Sequence, residues 1–105
     1  MIKKVKSITI FGNKFKVIYD PTNNGGSFSF VTETFVIGTK CMKHDPVYTL
    51  SVISHEVMEA IYECMGARYC SPREHNAYLF NFNHQTFENA IQIHTEIMSK
   101  FYDTK

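Results

Sequence analysis

At 105 residues the chain predicts a single domain spanning 1–105, because two domains of half that length would each bury too small a core to stand alone. With 44% hydrophobic and 20% charged residues it is not composed like a disordered chain. Eleven Lys+Arg against ten Asp+Glu leave a net charge of +1, too even a balance to supply the clustered cations of non-specific nucleic-acid binding, so no nucleic-acid partner is expected.

Lys3, Lys4 and Lys6 form one basic cluster, diluted by Val5, and read as a solvated strand edge. No apolar run approaches the roughly 20 residues of a membrane span, so no membrane association is expected. The Met1-Ile2-Lys3-Lys4-Val5 start has no apolar stretch of the secretory-leader type. Cys41, Cys64 and Cys70 are odd in number and form no close pair. Free thiols in a reducing cytoplasm are the expectation, with no cysteine ligating metal.

The first third reads as β-structure. Between Val5 and Phe11 the residues alternate, with Ile8 and Ile10 on one side and Ser7, Thr9 and Phe11 on the other. Gly12-Asn13 is expected at the two-residue hairpin position. Phe15, Val17 and Tyr19 then describe a returning strand with one buried face, and Asp20 to Ser27 reads as a loop. Third and fourth strands are expected over 27–32 and 33–37. Asp45-Pro46 opens a helix, Asp as the cap and Pro at the first helical position. Leu50, Ile53, Val57, Ile61 and Cys64 then recur every three or four residues, and Gly66 is placed to end the element.

Ser71 to Glu74 reads as a loop or as a capping box. Tyr78, Phe80 and Phe82 alternate as a short strand with an aromatic face. A last helix carries Phe87, Ala90, Ile91, His94, Ile97, Met98 and Phe101 at helical spacing. This order predicts an α+β fold, a small, mainly antiparallel sheet packed on two helices.

The chemistry concentrates in Ser54-His55-Glu56-Val57-Met58-Glu59. His55 and Glu59, four residues apart, lie one turn above the other on one helix face and can converge on a single ion. Glu56 is rotated about 100° from His55, which lets it reach a water from the side and take its proton as general base. Two His and one Glu form a catalytic zinc shell, although an oxygen donor at Glu59 also suits manganese or iron. The third ligand is expected from His84, at the first turn of the last helix on the face of Phe87 and Ile91, with Glu88 one turn on as ligand or orienter.

His44, His75 and His94 are weaker candidates, and His94 reads as core. Tyr48 or Tyr62 could donate to an oxyanion, packing being the plainer role of both. The competing reading makes His55 a partly buried histidine on a backbone carbonyl and Glu56, Glu59 and Glu63 a solvated acidic face.

Two segments, Leu50 to Ile61 and Tyr78 to Phe87, resemble small proteins of phages and prophages with a zincin-like, minimal metallopeptidase core. The β-rich segment Ile8 to Ile18 is similar in position and character. The resemblance implies a helix bearing His-Glu packed under a small sheet, with substrate along an edge strand. Carried over by position, His55, Glu59 and His84 become ligands of a divalent metal, zinc being the expected ion, and Glu56 the general base. It implies a peptide or amide hydrolase in the cytoplasm of a phage host, or a scaffold that has lost hydrolysis and binds a host or phage protein. Glu59 in the place of a second His is the departure from the family pattern.

Overall fold

The computed structural model describes residues 2–66, 68–70, 78–80 and 83–102. It is an α+β arrangement of a four-stranded mixed sheet, a two-stranded sheet and two helices. Strands β1 (Ser7–Ile10) and β2 (Asn13–Asp20) form an antiparallel hairpin, pairing Ile8 with Phe15 and Ile10 with Asn13. Strands β3 (Gly26–Ser29) and β4 (Thr34–Gly38) form a second hairpin, and β4 lies parallel to β2, so the order is β1-β2-β4-β3 with β3 at an edge.

The period-two pattern decides which face is covered. Ile8, Ile10, Phe15, Val17, Phe35 and Ile37 are all buried against the helices. Phe15 meets Phe28 and Phe35 edge-on at 5.3 and 5.7 Å between ring centroids, a geometry that favours aromatic pairs beyond their area.

Helix α1 (Pro46–Cys64) starts where its chemistry dictates. The Asp45 carboxylate accepts from Tyr48 N–H at 3.1 Å, and Pro46 sits where a missing N–H costs nothing. Ile53, Val57, Ala60 and Ile61 are fully buried on the sheet, each of the branched side chains contributing about 1.5–3 kcal/mol by leaving water. Gly66, at φ +73°, takes the left-handed conformation after the helix. Helix α2 (His84–Ser99) is capped by Asn83, whose side chain accepts from Thr86 N–H, and it packs on α1 through Ala90, Ile97 and Met98.

Three expectations need correction. The β1–β2 turn is centred on Phe11-Gly12, not Gly12-Asn13, with φ of +48° and +80° at the two positions. This is the sign pattern of a type I′ turn, whose twist matches the strands it joins. Second, β3 stops at Ser29, and a turn over 30–33 separates it from β4. That turn has no Gly, Pro, Asn or Asp. Ser29 Oγ accepting from Thr32 N–H and Glu33 at φ +53° make it instead. Third, Phe87 and Ile91 are 42% and 41% exposed, outside the buried stripe of α2.

Strand β6 (Tyr78–Phe80) pairs antiparallel with β5 (Arg68–Cys70), a strand the sequence pattern did not announce. The loop or capping box at 71–74, His75 and Phe82 lie outside the described residues. No described helix is long and apolar enough to cross a membrane.

Phe11 is a ring-bearing residue held in a conformation that costs an L-residue about 1–2 kcal/mol, and it is 57% exposed. Phe11→Asn, which suits the first position of a type I′ turn, is expected to stabilise the fold by about 1 kcal/mol. A rise in the urea midpoint at unchanged slope checks this.

Candidate metal centre on helix α1

Among the described residues, His55, Glu56 and Glu59 are the one group of three potential ligands whose donor atoms all lie within 4.8 Å of one another. Helical geometry alone brings them together. His55 Nε2 is 2.6 Å from Glu59 Oε2 across one turn and 3.9 Å from Glu56 Oε2. Donors bound at 2.0–2.2 Å to a tetrahedral ion stand about 3.3 Å apart. The observed spacings straddle that value, so side-chain shifts of about an ångström would seat one cation. The imidazole of His55 and the carboxylate of Glu59 suit zinc and also manganese or iron, with the Glu56 carboxylate beside them.

The three differ sharply in exposure. The His55 side chain is 68% exposed, that of Glu59 19% and that of Glu56 10%. Glu56 is the only charged residue among the described buried ones, and charged groups are rarely buried without a task or a partner. The His55–Glu59 pair itself contributes little to stability, since an exposed i,i+4 pair is worth under about 1 kcal/mol.

What lies above the helix defines the site further. The edge strand β3 crosses α1 at Gly26, where a Cβ would come 2.7 Å from Val52 Cγ1 and 3.2 Å from Glu56 Cγ. Only a glycine lets the backbone come this close. Between strand and helix runs an open cleft of about 380 Å³ lined by Gly26, Tyr48, Ser51, Val52, His55 and Glu56. Tyr48 thus borders the candidate centre, whereas Tyr62 is buried, its phenol pushed up by desolvation. The sequence pattern puts Gly26 inside the loop over 20–27, and the Gly25-Gly26 pair before a strand is its one signal of a close approach.

His84 is not among the three. It opens α2 with its side chain 84% exposed, and its Nε2 lies 2.9 Å from Glu88. The reason is its phase: six residues separate it from buried Ala90, which puts the two about 120° apart around the helix. His84 shares the side of Phe87 and Ile91, and that side is exposed.

His94 does reach α1. Its Nε2 is 2.8 Å from Ser54 Oγ, tying the two helices one residue before His55. Burial holds this imidazole below its ordinary value. The folded state then binds fewer protons than the unfolded chain, so this contribution is intact above pH 6.5 and lost as pH falls through the depressed folded value. His94→Gln is expected to lose less stability than the parent between pH 7 and 5, as urea unfolding at the two pH values would show. Cys41 and Cys64 are free thiols.

No known protein family, curated protein or solved structure matches the chain.

Proposed function

We propose that the protein is a divalent-metal-dependent hydrolase of peptide or amide bonds, zincin-like in architecture and acting in the cytoplasm, that of a host cell if phage-encoded. The observation that carries this reading is the convergence of His55, Glu56 and Glu59 beside a cleft edged by a strand. His55 and Glu59 are the ligands and zinc is the expected ion. When bound, it would polarise the scissile carbonyl and stabilise the negative charge that develops on its oxygen.

The chain's own groups do the rest. Glu56, whose stem lies against Gly26, accepts a proton from the attacking water and passes it to the leaving amine. The new C–O bond forms first, as the C=O electron pair moves onto oxygen; that pair then returns as the C–N bond breaks and the amine leaves with the proton held by Glu56, so the proton count closes. Strand β3 pairs with β4 on one side only, so its other edge offers backbone N–H and C=O groups to an extended peptide. Tyr48 stands at the same cleft.

A second reading, a zincin scaffold that binds a host or phage protein without hydrolysis, is favoured by one observation. The converging donors all come from a single helix, with Glu59 in the place of a second His. Incubating the zinc-loaded protein with a mixed peptide pool and counting new N-termini by mass spectrometry tests the first reading. It expects cleavage that a chelator removes and zinc restores. An uncleaved pool under every metal condition contradicts it in favour of the binder.

A further inference from the structure

The face of the main sheet turned away from the helices carries a charge pattern that the sequence scatters over β2 and the residue before β1. Lys14 and Lys16 alternate with the buried Phe15 and Val17, so both point outward from β2. Lys16 lies opposite Ser7 in the β1–β2 register, next in sequence to Lys6. The three exposed lysines border an open groove of about 480 Å³, with Thr34 on its floor and Glu33 as its one acidic residue. Among the described residues, no ion pair engages any of the three ammonium groups.

Next along the same face of β2, Ile18 is 45% exposed, beside Val36 in the β2–β4 register. Lys16 borders this apolar pair on the groove side and Asp20 on the other, so the apolar pair has a polar rim.

We propose that this outer sheet face docks an acidic, extended segment of a partner protein. Charge complementarity selects the sign of the occupant, with three cations facing one carboxylate around the groove. The repeat selects its shape. Alternate residues of a strand are about 6.6–6.8 Å apart, so Lys14 and Lys16 match carboxylates at alternate positions of an extended peptide. Single-stranded nucleic acid fits less well. The outward positions of β1, β2 and β4 hold Ser7, Thr9, Lys14, Lys16, Ile18, Asp20, Thr34 and Val36, none of them an aromatic ring on which a base could stack. This face is separate from the α1 cleft, and the proposal stands whether or not that cleft hydrolyses anything.

The test measures fluorescence anisotropy of a labelled deca-glutamate peptide with the full chain at low salt, against a labelled ten-residue oligothymidylate. The expected result is saturable peptide binding that weakens at least tenfold in K6A/K14A/K16A and is unchanged in K3A/K4A/K43A, which removes the same number of charges elsewhere. Equal weakening in both triple variants would overturn the proposal, since net charge rather than this groove would then be responsible. So would a peptide that does not bind, or an oligothymidylate that binds more tightly than the peptide.

Discussion

Glu56→Gln is expected to lower the rate of peptide hydrolysis by about 10²–10⁴-fold, the usual worth of a general base, while zinc affinity changes by no more than a few-fold. The substitution keeps size and shape in a position where both matter, because the Glu56 stem lies under Gly26 and beside Val52. The amide cannot accept the proton of the attacking water. It also leaves the His55–Glu59 pair, 2.6 Å apart, free to hold the ion. Steady-state rates on any peptide that the parent cleaves, with zinc titrated calorimetrically into both proteins, separate these effects. Parallel loss of rate and affinity would instead make Glu56 a ligand.

Gly38→Ala should destabilise the fold by about 3 kcal/mol, the upper part of the range for forcing atoms into a packed interior. A Cβ at this position would fall on the backbone carbonyl oxygens of Asn23 and Gly25, and backbone cannot swing aside as a side-chain tip does. The consequence reaches the candidate centre through the loop. Gly38 N–H donates to Gly25 O at 2.7 Å, Thr39 N–H to Asp20 O at 2.9 Å and Lys40 N–H to Asn23 O at 3.0 Å, and together these bonds set where β3 begins. Displacing Gly25 shifts Gly26 off Val52 and Glu56. The variant should therefore show a lowered urea midpoint and, in the fraction that stays folded, weakened hydrolysis.

Much of this arrangement is written in local chemistry. The Asp45-Pro46 start, the Ile53/Val57/Ile61 stripe and the Ile8/Ile10 alternation each follow from a period or a cap, and each is found where the pattern puts it. His55, Glu56 and Glu59 were legible for the same reason, since their proximity needs nothing but a helix.

Features that depend on distant partners were not legible. The turn over 30–33 uses a serine hydroxyl and a left-handed glutamate in place of glycine. Phe11 occupies a turn position that its own preference opposes. The apolar spacing of α2 misassigned its phase, because Phe87 and Ile91 fit the helical period yet face outward. The expectation for His84 rested on that phase. Nor does the linear order show that β3 returns to an edge directly over α1, which is what turns a helix motif into a cleft.

Zinc stoichiometry and affinity by calorimetry, on the parent and on His55→Ala, Glu59→Ala and His84→Ala, address the metal centre most directly. The account predicts one ion per chain in the parent, the same in His84→Ala, and at least tenfold weaker binding once His55 or Glu59 is removed. Identical affinity in all four proteins, or loss only with His84, would contradict it.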